Sequence, residues 1–428
     1  MSEAEALRPV SGTGRSHVVV IGAGIVGLST AWFLQERDVR VTVIERSGVA
    51  AGSSWGNAGW ISPGLAVPLS DPSIIKYGMK AVLDPDSPLY VPLKPDFQLA
   101  RFLLGFGRRC TKGQWKRTMD SYVPMNRRSI AAYDALESGG VKAVSREAPI
   151  MAAFLRAADA AGLEHEIELI HEAGLDLQTT EIDNATLRAE LPIVSDKVEK
   201  TIRIGGQRYI DPGAYVEALA IAVKQRGGDV VIGSNARALR HGPLGVTVEM
   251  VSGVPVSGDA VVLATGAWLP ELAKMCGVRT QLCAGRGYSF SVAVSDPAAR
   301  PVPCPVYFPF ERVACTPYGD RLRVGGTMEF ADTEAPLNND RVEAIVKSGR
   351  PLLSGVDWAD REDTWVGSRP VTVDGLPLIG ATKVPRVYVN GGHGMWGITL
   401  GPLSGELLAE QMVTGKIPAE LHPFDPVR

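Results

Sequence analysis

The sequence predicts an α/β protein in which a parallel-stranded dinucleotide-binding unit is joined to a second unit built on a mixed or antiparallel β-sheet. Three observations lead there. The stretch His17–Arg46 reads as strand, glycine turn, helix and strand in thirty residues. Its second strand ends in an acid, Glu45, placed 18 residues beyond the last glycine of the turn. Far downstream, between Leu282 and Leu353, apolar residues alternate with a period of two, the pattern of half-buried strands.

The opening stretch, HVVVIGAGIVGLSTAWFLQERDVRVTVIER, gives each glycine a separate task. Gly22 makes the tight turn, Gly24 lets backbone approach a pyrophosphate, and Gly27 lets the helix pack closely on the strand. The helix N-terminus then faces the phosphates. A carboxylate at Glu45 accepts hydrogen bonds from ribose hydroxyls and repels a 2′-phosphate. These residues specify a dinucleotide and leave FAD and NAD both open.

After Glu45 the segment from Arg46 to Gly64 is dense in small residues and has no periodicity, while retaining Trp55 and Trp60, which fits a loop built for backbone contact with a ligand. From Pro68 the pattern changes to an insertion: a short helix over Ser73–Leu83, an irregular Pro85–Pro95, and helices over Phe97–Arg109 and Trp115–Glu137. A strand is expected over Pro149–Leu155 and a helix over Ala157–Ala173. His165 and His171 lie six apart on that helix, a spacing unsuited to a helical metal pair, so no metal site is expected. At 202–212 the chain is expected to return to the cofactor unit, with a helix over Pro212–Arg226 and strands over Val230–Ile232, Ala236–Arg240, Val246–Val251 and Asp259–Ala264. The last of these ends in Thr265-Gly266-Ala267, again a small-residue turn suited to a close-lying cofactor. The antiparallel block follows, then the Gly367–Gly380 segment, a strand over Val387–Asn390, the glycine loop 391–399, and a helix from Pro402 to Met412.

Composition excludes several classes. With 45% hydrophobic and 21% charged residues and a net charge of -3, the chain has ample material for a large core and no basic footprint for nucleic acid. Five widely spread cysteines without a C-x-x-C pair fit a reducing compartment. The first 16 residues carry acids and lack an apolar core, so they are expected to form a flexible arm. The longest apolar run is the glycine fingerprint itself, so no transmembrane segment is expected.

Five motifs occur in order: the fingerprint, GSSWGNAGWISPG, VVLATGAW, GSRPVTVDGLPLIG and NGGHGMWGITLGPLSG. This order resembles the D-amino acid oxidase superfamily of FAD enzymes. The ERSGVAAGSSWGNAGWISPG, RGYS and LRVGGTMEF stretches are most similar to its bacterial D-amino acid dehydrogenases. The similarity extends over about 17–415. It implies a Rossmann-like FAD-binding domain (17–64, 200–281 and 364–415) and a discontinuous substrate domain on a mixed or antiparallel sheet (65–199 and 282–363). The resemblance further implies that Gly22, Ala23, Gly24, Ile25, Val26 and Gly27 hold the pyrophosphate and that Glu45 and Arg46 hold the adenosine end. Ser53, Ser54, Asn57, Ala58 and Gly59 would follow the phosphates and ring, with Ala236 or Arg237 near the adenine and Gly266 beside the cofactor. Gly392, His393, Gly394, Met395, Gly397, Ile398 and Thr399 would reach the pyrimidine end of the flavin, His393 organising the loop rather than acting as a base. No histidine lies in the 53–59 loop, so FAD is expected to be held non-covalently, with Cys315 the one thiol to be checked for attachment.

The same resemblance assigns Arg369 to the substrate carboxylate, a contact that suits a planar guanidinium, and makes Tyr288 a second candidate for positioning that carboxylate. The implied reaction is oxidative deamination of a D-amino acid to a 2-oxo acid and ammonia, with hydride passing from the α-carbon to flavin N5. Two alternatives stand beside it: a secondary or cyclic amine substrate of the D-proline, hydroxyproline or sarcosine type, and an FAD-binding subunit of a larger electron-transfer assembly. The electron acceptor (quinone, oxygen or a carrier protein) is left open. A cytoplasmic location is expected, with peripheral contact at the inner face of the membrane as the variant implied by relatives that deliver electrons there.

Overall fold

The structure is a computed structural model that describes residues 10, 16–71, 87–91, 96–243, 245–279 and 281–428. The short helix expected over Ser73–Leu83 and most of the 85–95 segment lie outside these residues. So does the arm expected over 1–16, except for Ser16 and Val10, whose side chain is buried and whose N–H donates to Met412 O at 2.8 Å. In chain order, the elements that frame the site are β1 (His17–Ile21), α1 (Ile25–Gln35), β2 (Arg40–Glu45), α2 (Phe97–Gly107), α3 (Lys112–Ser138), β3 (Asp229–Ile232), β4 (Ala260–Leu263), β5 (Leu282–Val294), β6 (Arg321–Phe330), β7 (Val356–Thr372), β8 (Leu378–Ala381), β9 (Val387–Gly391) and α4 (Gly397–Thr414).

A six-stranded sheet has the order β3-β2-β1-β4-β9-β8. All neighbours are parallel except β8, which joins antiparallel at the edge. Both faces are covered, which is why β1 reads as an unbroken apolar run. Val18 and Val20 pack with α1 and α4, while Val19 and Ile21 pack toward Val246, Val248 and Leu269 from a three-stranded sheet and a short helix on the other face.

The nine-stranded second sheet is mixed. Its order begins β7-β5-β6 and continues through Val313–Tyr318, Val306–Phe308, Ile150–Phe154, Lys200–Ile204 and Thr179–Ile182, with Leu89–Tyr90 paired to β6. Two expected boundaries move. Lys200–Ile204 and 364–372, both assigned to the cofactor unit, hydrogen-bond in this sheet: Lys200–Ile204 pairs with Ile150–Phe154 and Thr179–Ile182, and β5 is long enough to pair with β7 from Leu282↔Thr372 to Val294↔Val356. The fold class is otherwise as expected.

Helix α3 was assigned to the substrate unit, yet much of its buried face joins the core of the six-stranded sheet's helical layer. Thr111 caps its N-terminus, accepting from Gln114 N. Its buried side chains then tie down both glycine-rich regions: Tyr133 Oη donates to Ile398 O at 2.6 Å and Tyr122 Oη to Gly375 O at 2.6 Å in the distal segments, and Asn126 Nδ2 donates to Ala66 O at 2.9 Å after the first loop. Burial raises both tyrosines well above the ordinary phenol range, so they remain donors. Tyr133→Phe leaves the Ile398 carbonyl buried without its donor; it is expected to cost about 1–2 kcal/mol of stability, checked as a lower melting temperature of the FAD-loaded protein.

Candidate active site

Between the two sheets runs a cleft of about 1220 Å³ of empty space, part of it open to solvent. At one end lies the β1–α1 turn. Gly22 has φ +114, a conformation that L side chains rarely adopt, and a side chain there would collide with Ala264 O just beyond β4. Gly27 has no room either, since Gly22 O occupies that position. Gly24 differs: only Ser54 Oγ lies near its Cβ position, at 3.2 Å, so the backbone there stays approachable. Ser54 Oγ also accepts from Ile25 N at 3.2 Å, the first residue of α1.

Glu45 is held by the turn it serves. Its carboxylate accepts from Ala23 N at 3.0 Å and Ser47 N at 2.9 Å, and its remaining lone pairs are available to ribose hydroxyls. Arg46 stacks on Trp268, 3.9 Å from the ring centroid, and pairs with Glu334 at 2.9 Å; Trp268 Nε1 donates to the same carboxylate oxygen at 3.1 Å. Trp268 and Glu334 were not among the expected site residues.

Of the residues expected to contact the cofactor, Gly22, Gly24, Ile25 and Val26 line the cleft at the turn, and Glu45, Arg46 and Ala236 at the nucleoside end. Ser53, Ser54, Asn57 and Gly266 line its middle, and His393, Gly394, Gly397 and Ile398 its far end. The others stand behind it. Ala23 and Gly27 are buried in the turn, and Ala58 O and Gly59 O are taken by Thr316 Oγ1 and Ile210 N. Gly392, φ +75, packs on Thr372, Met395 is half-buried outside the lining, and Thr399 Oγ1 links Ser62 N to Trp60 O. Arg237 requires correction: it is the extra residue of a bulge in its strand and its side chain pairs with Glu249, leaving Ala236 at the cleft.

Tyr288 also requires correction. On β5 the register pairs are Gly285↔Arg369, Arg286↔Ser368, Gly287↔Gly367 and Tyr288↔Val366. Partners across a ladder share a face, so Arg369 lies with Gly285 and Gly287, and Tyr288 points the other way. There its hydroxyl donates to Glu329 at 2.5 Å, in a buried cluster with Arg286.

The residue in that motif that matters to the cleft is Gly287. The Arg369 guanidinium lies across it, occupying the space a side chain would need, and reaches β6, where Nη1 donates to Thr327 O at 3.2 Å. A bulge in β6 turns this carbonyl to the guanidinium, and Thr327 takes φ +57 there, a strained conformation for a β-branched residue. Among the described residues no carboxylate pairs with Arg369. Burial lowers its pKa to about 10, so it remains cationic at neutral pH. Trp365, another residue that was not expected, lays its ring over Gly367 and against Gly56 on the same sheet face.

His393 is buried, contacts Ser404 Oγ at 3.0 Å, and has its pKa pushed down to about 4 by burial. It is a neutral ring that ties the glycine loop to α4, in keeping with an organising role. Cys315 is buried in the core of the second sheet and lines no part of the cleft; burial raises its thiol pKa. His165 is exposed beside Glu168, and His171 contacts Leu177 O.

The cleft suits FAD on its own evidence. Backbone is approachable at the turn, an acid stands at the nucleoside end, and Thr265 Oγ1 and Asn390 Oδ1 are buried on its lining without a partner among the described residues. One cleft thus joins a nucleotide-binding turn to a buried guanidinium that no carboxylate among the described residues pairs with. The chain belongs to the FAD dependent oxidoreductase family, whose model matches residues 17–411, and its cofactor is FAD. It is 30% identical over 411 residues to a D-amino acid dehydrogenase of Methylobacterium nodulans, covering 95% of this chain and 97% of the relative. Its fold matches glycine oxidase from Geobacillus kaustophilus (TM-score 0.71, 20% identity, covering 96% of this chain and 99% of the other). It likewise matches L-proline dehydrogenase from P. horikoshii (TM-score 0.67, 18% identity, covering 98% of each chain). The protein is thus an FAD-dependent amino acid oxidoreductase. No helix among the described residues is long and apolar enough to cross a membrane.

Two predictions follow from this geometry. Gly287→Ala should displace the Arg369 guanidinium and raise the KM of a carboxylate substrate at least tenfold while FAD content is unchanged. For His393, the native ring protonates near pH 4 whereas the unfolded ring protonates near 6.5, so the unfolded state binds more protons between these values. Stability should therefore fall with decreasing pH through this window by up to about 1.4 kcal/mol per unit, and His393→Gln should flatten that part of a stability–pH profile.

Proposed function

We propose that this protein catalyses the oxidative deamination of D-amino acids to 2-oxo acids and ammonia. The observation that carries this reading is the buried Arg369 guanidinium on the cleft lining, held by one carbonyl and, among the described residues, paired with no carboxylate. A desolvated cation with free N–H groups favours a bidentate carboxylate. The D configuration and the primary amine are supported by the likeness to D-amino acid dehydrogenases along nearly the whole chain.

Bound FAD supplies the two-electron acceptor for the hydride that leaves the substrate α-carbon. The chain's own residues do the positioning. Arg369 fixes the carboxylate, and the crossing over Gly287 fixes Arg369, so the α-carbon is held in one place relative to the glycine loop. Gly394 N donates to Pro370 O at 3.0 Å, which holds that loop against the arginine's own strand. His393 is neutral and committed to Ser404, so it does not take the substrate proton. The substrate loses one hydride from Cα and one proton from nitrogen; water then converts the imino acid to the 2-oxo acid and ammonia. On this reading Ser53, Ser54 and Asn57 face the middle of the cofactor, and Glu45 with Ala236 its adenosine end.

The test is anaerobic bleaching of the flavin absorbance by matched D- and L-amino acids and by proline and sarcosine. Bleaching by the D series, with the L series and the secondary amines at least tenfold slower, is the expected result; preferential bleaching by L-amino acids or proline would overturn the assignment. Arg369→Met should retain FAD and weaken carboxylate substrates by about 10²-fold or more, the loss typical of truncating one partner of a buried charge pair.

A further inference from the structure

We propose that the segment 56–62 is a brace that fixes the angle between the strand carrying Arg369 and the glycine loop at the start of α4, and that Ser289 and Thr316, which hold it, are positioning residues for hydride transfer. This rests on the reading of Arg369 as the carboxylate anchor and of the loop as the seat of the flavin ring. On that reading the two reactants are held by different sheets, the substrate by β7 of the nine-stranded sheet and the ring by the loop that leaves β9 of the six-stranded one. The two touch at an isolated bridge between Val371 and His393, where Gly394 N donates to Pro370 O at 3.0 Å. A contact that short acts as a hinge. The angle across it needs a second tie, because hydride transfer depends on the orientation of donor and acceptor.

The segment 56–62 supplies that tie. At one end it is fastened to the nine-stranded sheet. Ser289 lies two residues beyond Gly287 on β5, on the face that the Arg369 guanidinium crosses, and its Oγ donates to Gly56 O at 2.7 Å. The Trp365 ring fills the space beside Gly56. Two strands further on, Thr316 Oγ1 donates to Ala58 O at 2.7 Å and accepts from Trp60 Nε1 at 2.8 Å, so its one proton is committed to the segment. At the other end Thr399, the third residue of α4, accepts from Ser62 N and donates to Trp60 O, both at 3.2 Å. The middle is stiffened by pairing: Gly59 O accepts from Ile210 N, and Trp60 and Ile61 pair with Tyr209 and Arg208. Asn57, a residue of the cleft lining, rides on this brace with its Oδ1 accepting from Gly59 N. Ser289, Thr316 and Thr399 are all buried, so removing a hydroxyl leaves a carbonyl without that donor where water does not replace it.

The test applies two readouts to the FAD-loaded protein. The first is anaerobic stopped-flow reduction with the amino acid of the panel above that bleaches the flavin fastest. Ser289→Ala and Thr316→Val should each lower the limiting rate about tenfold or more, the kind of loss that a misplacement of about 1 Å causes, while the substrate dissociation constant stays within about threefold and FAD content is unchanged. Thr316→Ser, which keeps the hydroxyl, should restore the rate to near that of the parent protein. The second readout is hydrogen exchange followed by mass spectrometry. Thr316→Val should speed exchange in 56–62 and also in 391–399, a segment to which Thr316 makes no hydrogen bond. Unchanged limiting rates, a dissociation constant that rises as much as the rate falls, a Thr316→Ser variant as slow as Thr316→Val, or faster exchange confined to 56–62 overturns the brace. An Arg369→Met variant with undiminished affinity for carboxylate substrates defeats the anchor reading and the positioning role together, whereas the outcomes just named defeat the brace alone.

Discussion

A guanidinium laid across a glycine near one edge of a nine-stranded sheet sets the terms for the rest of the site. Arg369 starts on β7, crosses β5 at Gly287 and reaches the Thr327 carbonyl on β6. Burying a cation without a counter-ion is unfavourable, and its pKa of about 10 shows burial acting against the charged form. The bulge that presents the Thr327 carbonyl adds strain of order 1–3 kcal/mol. Both costs are borne by the long β5–β7 and β5–β6 ladders, which fix the three strands so that the side chain has one resting place. An acid at hand would have stabilised Arg369 and at the same time taken up the N–H groups that the proposed function gives to a carboxylate.

The second constraint is that the glycine loop must stay in register with that arginine although the two lie in different sheets. It is held from three directions. Gly394 N bonds to Pro370 O, His393 fixes the loop to Ser404 of α4, and Tyr133 of α3 holds Ile398 O at the start of α4. The insertion that carries α3 thus braces the loop through α4, and its preceding helix, α2, closes the apolar cluster behind Val371. Neutral His393 leaves the positive end of α4 as the local field, which favours negative charge arriving at this end of the cleft.

What was legible in the sequence were the features whose meaning is local. The glycine turn, the acid at Glu45 and the apolar period of β5, β6 and β1 each state their geometry within a few residues, and the structure agrees with them. The first half of β7 was not legible, because Val356–Thr372 begins as a charged edge segment, and edge strands carry charges where a half-buried strand would alternate. Without that strand the boundary at 364 fell inside it. Tyr288 was misplaced by a single residue of phase: strand neighbours face opposite ways, and only the pairing with β7 tells which face meets the cleft. Gly287 was not singled out, since its role depends on a side chain from a distant strand. Arg46 was expected at the nucleoside, but its stacking on Trp268 and pairing with Glu334 join two segments that nothing in their own sequences connects.

The arrangement also bears on why the site needs no dedicated base. An amino acid enters as a zwitterion, and its amine must be neutral before hydride can leave the α-carbon. With its carboxylate on Arg369, the ammonium would sit close to a buried cation and a neutral His393, while the nearest β6 carboxylate, Glu329, is turned to the far face. Each of these disfavours the protonated amine, through like-charge proximity and desolvation. On the proposed function, the proton would therefore be lost to solvent as the substrate binds, and the lack of a partner for the ammonium would do what an acid–base residue does in a polar pocket. The same feature that makes Arg369 costly to bury, the lack of a nearby negative charge, prepares the amine for oxidation.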